Sequence, residues 1–208
     1  MTGGHHQKLS VSAPIVLVFG TSAEVGKTTT TVGMIRAFIA EDRKTAAVKV
    51  SGSGGLVEEL NYRDAGAFPW LDFQDVGLPT TYTSPDRFKG ALYTVFNYTN
   101  ITKPDIIVAE TGGDPIESNI PTMLADTQFM QYVKAFIIVP SDVMGMMGII
   151  SYLSKSTPSK PMYFAYPKDR NIVTTNVRVK SVLPGTKMFN SLDLQDTRKI
   201  ARMILKIK

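Results

Sequence analysis

Gly20-Thr21-Ser22-Ala23-Glu24-Val25-Gly26-Lys27-Thr28-Thr29 follows the apolar run 15–19 and opens the segment 28–40, where Val32, Ile35, Phe38 and Ile39 recur on one side of a helix. A continuous apolar run reads as a strand buried on both faces of a parallel sheet. A buried strand, a small-residue loop and Gly-Lys-Thr at a helix start together make a phosphate cradle. Backbone N–H groups of the loop and the helix start converge on an anion, and the helix dipole adds positive potential. In that geometry Lys27 spans the β and γ phosphates and the Thr28 hydroxyl ligates Mg²⁺. The candidate phosphate-binding residues are therefore Glu24, Val25, Gly26, Lys27, Thr28 and Thr29. The glycines stand one residue further apart than in the usual loop, with Thr21 where the first glycine normally falls. An accidental turn is the alternative, and the strand before it and the helix after it argue against that.

The rest of the chain alternates in the same manner. Strands are expected over 46–50, 105–109, 135–139 and 162–165, with helices over 57–65, 86–98, most of 120–132, 144–153 and 196–207. The segment 68–85 holds three prolines and little periodicity, so it is expected to be a loop packing through Phe68, Trp70 and Phe73. The stretch 177–182 is expected to close the sheet. Strands separated by helices give an α/β, three-layer sandwich with a mainly parallel sheet, whose ligands sit at the carboxyl ends of the strands.

Composition narrows the chemistry. With 208 residues, 43% hydrophobic and 20% charged, the chain suits one globular domain. The expected division is a flexible leader over 1–12 and a single domain over 13–208. Cysteine is absent, which excludes disulfide scaffolds, thiolate metal sites and cysteine nucleophiles. The two histidines, His5 and His6, lie in the leader, so a core-histidine mechanism is excluded as well. No run approaches the ~20 apolar residues of a membrane span, and a cytoplasmic protein is expected. From Lys168 onward ten Lys/Arg face three Asp/Glu, against thirteen facing fifteen before it. Such a tail suits nucleic acid or an anionic membrane, or is simply a solvated face. With no interleaved aromatic platform, the solvated face is favoured and nucleic-acid binding is not expected.

Two further strand ends carry charge. Lys49 interrupts the apolar second strand, where a lysine is costly to bury without a partner. It is either a solvated lysine on an edge strand or a cation facing the same γ-phosphate as Lys27. The strand 105–109 ends in Glu110-Thr111-Gly112-Gly113-Asp114, and a carboxylate there is placed for Mg²⁺. Gly112 and Gly113 allow a substrate close to the backbone. Asp64 alone reads as a helix-surface residue.

The loop Gly20–Thr28, the Lys49 strand end running into Ser51-Gly52-Ser53 and the Glu110-x-Gly112-Gly113 turn, in that order, make the chain resemble dethiobiotin synthetase. That family belongs to the phosphate-loop NTPases, which include the Min and Par ATPases and the amidoligases of cobalamin synthesis. The resemblance covers residues 14–66 and 104–155. It implies catalytic roles for Lys27 and Lys49, Mg²⁺ ligands at Thr28, Asp64 and Glu110, and substrate contacts at Ser53, Gly112 and Gly113. It implies ATP in preference to GTP, with Lys168, Asp169 and Asn171 near the base. It implies an amine or carboxylate substrate activated by γ-phosphoryl transfer, and a homodimer. Ser22 and Ala23 replace the family's Asp and Thr, and Asp114 and Glu117 follow the double glycine where the family is apolar. The alternative function is a nucleotide-dependent regulatory switch. The Min/Par form of that switch carries a lysine near the start of the loop, and none lies between Gly20 and Gly26. The segment 197–208, with Ile200, Met203, Ile204 and Ile207 among five Lys/Arg, is either a membrane-contacting helix or, as favoured, an ordinary helix packed on the sheet.

Overall fold

The computed structural model describes residues 8–157, 159–166 and 172–207. Seven strands form one sheet in the order β3-β2-β4-β1-β5-β6-β7, and every pairing is parallel. The strands are β1 (Ile15–Gly20), β2 (Thr45–Lys49), β3 (Trp70–Asp72), β4 (Ile106–Glu110), β5 (Val133–Val139), β6 (Met162–Ala165) and β7 (Lys187–Phe189). The helices are α1 (Lys27–Ile39), α2 (Leu56–Asp64), α3 (Pro85–Ile101), α4 (Ile120–Ala125), α5 (Thr127–Met130), α6 (Val143–Ser156), α7 (Ile172–Val182) and α8 (Leu194–Leu205). Side chains of β1 alternate between two cores, as a period of two requires. Ile15, Leu17 and Phe19 enter a core shared with α3, α4, α5 and α6. Val16 and Val18 enter another built with α1, α2 and α8. The sheet is thus the middle of three layers.

This topology sets the position of the site. The chain leaves β1 through α1 toward one face and leaves β4 through α4 toward the other. Between the carboxyl ends of these two neighbouring strands a crevice opens, which is where ligands bind in such sheets.

Three local expectations change. The segment 177–182 is the second half of α7, and the closing strand is β7. Its valines are β-branched and read as strand, yet Val179 is buried while Val177 and Val182 are exposed, a helical distribution. Within 68–85 the chain forms β3 and a 3-10 turn over Phe73–Val76. Phe73 is buried there, but Phe68 is 71% exposed and anchors nothing. The strand was hidden because it is three residues long and stands at the sheet edge beside Pro69. Of the leader expected over 1–12, the described part from Lys8 packs on the domain: Leu9, Val11 and the following Ala13 are buried. Asn97 and Asn100 of α3 accept the Ser10 and Ser12 N–H groups at 2.7 and 3.0 Å. The alternation in Leu9-Ser10-Val11-Ser12-Ala13 was the signal for it.

The last helix packs inward. Ile200, Ala201 and Ile204 of α8 are buried, and Arg198 and Arg202 clasp Glu41 just past α1 at 2.7 and 2.8 Å. No described helix is long and apolar enough to cross a membrane.

Gly33 of α1 lies against the β7–α8 connection, where an added Cβ would come within 2.4 Å of the Ser191 carbonyl oxygen. Alanine gains about 1 kcal/mol of helix propensity over glycine, whereas overpacking costs about 1–3 kcal/mol. Gly33→Ala is therefore expected to lower the melting temperature. Gly90→Ala in α3, where a Cβ meets nothing within 4 Å, should raise it. Thermal melts of the two variants should move in opposite directions from the parent.

Candidate functional site

The loop after β1 is shaped for a close anion. Glu24 takes φ +57° and Gly26 φ +99°, and Gly26 sits at the N-terminus of α1. The Lys27 side chain folds back over the end of β1. A Cβ on Gly20 would lie 2.8 Å from its Cδ and 2.9 Å from its Nζ, so a larger residue there would push the lysine off this path. The Lys27 ammonium donates to the Ser22 carbonyl at 2.8 Å. Burial pulls its pKa below the ordinary lysine range, with Glu110 opposing.

Glu110, at the end of β4, is 3% exposed and fully engaged. The Thr28 hydroxyl donates to Oε1 at 2.8 Å and the Tyr62 hydroxyl to Oε2 at 2.6 Å. Burial raises its pKa, opposed by those two hydroxyls and by Lys49. Tyr62 escaped the sequence reading; its only signal was a tyrosine on the helix that follows Lys49.

Lys49 is 5% exposed on a strand that lies between β3 and β4, so the solvated edge lysine is ruled out. It stands in register with Asp72 on one side and Glu110 on the other. Its ammonium pairs with Glu58 of α2 at 2.6 Å. Beside it, a Cβ on Gly112 would lie 2.5 Å from the Ser51 carbonyl oxygen, so the ends of β2 and β4 approach only because that residue is glycine.

A cleft of ≈ 580 Å³ joins these parts. The sequence-derived residues Glu24, Gly26, Lys27, Thr28, Thr29, Lys49, Ser53, Glu110, Gly112 and Gly113 all line it. Val25 instead packs against the core beneath. Ala23, Gly52, Glu58, Tyr82 and Glu117 complete the wall.

Asp64 does not join the site. Its side chain is 63% exposed and pairs with Arg63 at 2.9 Å. Glu58 and Tyr62 are four residues apart and share the helix face turned to the strand ends; Asp64 lies two residues on, about 200° around α2. Among the described residues no three His, Cys, Asp or Glu side chains converge as a metal cluster. Mg²⁺ needs few protein ligands beside water and phosphate oxygens. The Thr28 hydroxyl with Glu110 behind it therefore fits that ion without Asp64. Lys168, Asp169 and Asn171 lie outside the described residues.

Behind Lys49 sits a second acidic layer. The buried Asp72 accepts the Gln74 N–H at 3.3 Å and caps the 3-10 turn, while its Oδ2 has no partner. Burial pushes Asp72 up to about 6 and Glu59, with Asp75 and Asp72 nearby, up to about 7. Both folded values lie above the ordinary 3.8 and 4.5, so between them the folded chain holds more protons than the unfolded one. The stabilising contribution is full below the ordinary values and is lost as pH rises through about 6 to 7. Urea denaturation from pH 4 to 8 should show this decline, and Glu59→Gln should flatten its upper part.

No protein-family model matches the chain, and no curated protein sequence does. Solved structures do. The signal recognition particle receptor FtsY from Elizabethkingia anophelis in complex with GDP is 11% identical with a TM-score of 0.61, over 99% of this chain and 67% of that one. HypB from Helicobacter pylori in complex with nickel is 12% identical with a TM-score of 0.57, over 93% and 86%. A putative plasmid partition protein from Borrelia burgdorferi B31 bound to AMPPNP is 11% identical with a TM-score of 0.57, over 94% and 98%. At these identities the likeness establishes the fold: an all-parallel, helix-flanked α/β sheet shared with phosphate-loop NTPases.

Proposed function

We propose that the cleft binds a Mg²⁺-nucleoside triphosphate and transfers its γ-phosphoryl group to a carboxylate or carbamate oxygen, as an ATP-dependent carbon–nitrogen ligase does. The observation that carries this reading is Lys49. A buried lysine on an interior strand is costly to keep, and holding a triphosphate requires only Lys27, Thr28, Glu110 and the loop N–H groups. A second cation on the same cleft serves a second anion.

In this reading Lys27 and the loop N–H groups hold the β and γ phosphates. The Thr28 hydroxyl, oriented by Glu110, is the protein's ligand to Mg²⁺, which when bound neutralises charge on those phosphates. Lys49 faces the acceptor. An acceptor oxygen attacks the γ-phosphorus, the bond to the leaving oxygen breaks, and its electron pair departs with the nucleoside diphosphate. An amine then attacks the mixed anhydride and releases phosphate. Little covalent chemistry is left for the protein, which supplies positioning and charge. ATP as the nucleotide, a homodimer and a cytoplasmic setting belong to the same proposal through the resemblance to dethiobiotin synthetase.

Calorimetry with Mg²⁺ and AMPPNP should show Lys27→Ala losing most nucleotide affinity; parental affinity would refute the phosphate site. Lys49→Gln should bind nucleotide within a few-fold of the parent yet form acceptor product about 10²-fold more slowly, the scale of one lost transition-state stabiliser. Steady acceptor-independent hydrolysis that Lys49→Gln leaves untouched would instead favour the regulatory switch.

A further inference from the structure

Lys49 already holds a carboxylate in the free protein. Its ammonium donates to Glu58 Oε1 at 2.6 Å, and both side chains line the cleft. The two partners are not equally fixed. The Lys49 side chain is 6% exposed and that of Glu58 29%. Lys49 is held by an interior strand, in register with Asp72 and Glu110. Glu58 reaches it from the first turn of α2 through a flexible, unbranched side chain. Gly55 leaves room for the carboxylate, since a Cβ there would lie 2.8 Å from Glu58 Oε2. Rotation of that side chain carries the carboxylate to water with the helix in place, and its charge remains favourable near the N-terminus of α2.

Release of Glu58 does not strand the lysine. Burial raises the pKa values of Glu110 and Asp72, and the Lys49 charge opposes that rise in both. Asp72 is wholly buried, and its Oδ2 has no hydrogen-bond partner. Lys49 therefore keeps compensating charge from the two flanking strands without Glu58. A buried ion pair with one member that can leave, and another that stays matched when it does, is suited to an exchange of partners. An acceptor presenting a carboxylate or carbamate brings the same planar pair of oxygens that Glu58 now supplies. Two such anions on one ammonium repel each other, so the acceptor takes the position only as Glu58 vacates it.

We propose that Glu58 is a place-holder for the acceptor: its carboxylate occupies the position on Lys49 that the acceptor's carboxylate or carbamate takes, and acceptor binding displaces it toward water. This rests on the reading of Lys49 as the acceptor's cation and adds two properties to it. The reacting group is an anion of carboxylate size. While no acceptor is bound, Glu58 withholds Lys49 from the γ-phosphate, so attack by water gains nothing from that cation.

Acetate is the probe, titrated at neutral pH against chloride of equal ionic strength and followed by NMR shifts of the Val50, Ser51 and Gly112 amides. In the parent, Glu58 competes and acetate binds weakly. Glu58→Ala removes the competitor and should tighten acetate about tenfold or more, the scale of one charge-assisted hydrogen bond. Glu58→Gln keeps the size, drops the charge and should tighten it by less; it also serves if the alanine variant does not fold. Adding Lys49→Gln to either variant should abolish the gain. Acetate bound no more tightly by either folded Glu58 variant than by the parent, or a gain that survives Lys49→Gln, would overturn the place-holder. These titrations contain neither nucleotide nor acceptor, so their failure is distinct from failure of the ligase reading, which product formation decides.

Discussion

A carboxylate at the end of an interior strand has to be matched from several directions at once, and Glu110 organises its surroundings on that account. Taking such a charge out of water costs several kcal/mol, and a hydrogen bond to a charged group returns about 1.5–3 kcal/mol. One partner does not offset the burial. The Thr28 hydroxyl comes from the first turn of α1, the Tyr62 hydroxyl from the last turn of α2, and the Lys49 charge from the neighbouring strand. Satisfying Glu110 therefore fixes the start of one helix, the rotation of another and the register of β2 on β4. The phosphate loop inherits its position from this arrangement, since Thr28 follows Lys27 directly.

The same constraint explains which residues the sequence disclosed. The loop from Gly20 to Thr29 was readable because its signals are local: a buried strand before it, a helix after it and a Gly-Lys-Thr between. Glu110 and Lys49 were readable because each is a charge abutting an apolar run. Tyr62 and Glu58 were not, because their roles depend on the rotation of α2, and no local pattern states which face of a short helix meets a strand end. Asp64 shows the converse: an interval along the chain placed it, and helix phase then turned it outward to Arg63. The stretch 177–182 misled through β-branched composition, which tertiary context overrides. Residues 8–13 carry a legible apolar alternation, Leu9, Val11 and Ala13, that packs inward although it stands near the start of the sequence.

Lys49 is held by more negative charge than one lysine can neutralise. Glu58 takes its ammonium, Asp72 and Glu110 flank it in register, and Glu59 lies within electrostatic reach. The surplus is accommodated partly by protonation, as the raised Asp72 and Glu59 show. The Lys49 ammonium pairs with Glu58, the most exposed of these acids, which stands at the cleft wall. An anion entering there meets a cation already dehydrated and positioned, the form in which charge contributes most to a transferring group.

The two ends of the cleft differ in how they are built, and that difference separates class from specificity. At the phosphate end every element belongs to the sheet framework: the β1 loop, the start of α1 and the last residue of β4. Distantly similar chains share the helix-flanked parallel-sheet fold at 11–12% identity. At the opposite end the wall is a strap and a loop, 77–84 and 112–119, joined by side-chain hydrogen bonds from Thr81, Asn119 and Tyr82. Loops on a rigid scaffold are where substrate choice resides. The left-handed Ser118 is tolerable in such a wall because the scaffold beneath does not depend on it. Its cost is borne locally, in the loop that carries it, and leaves the register of the sheet untouched.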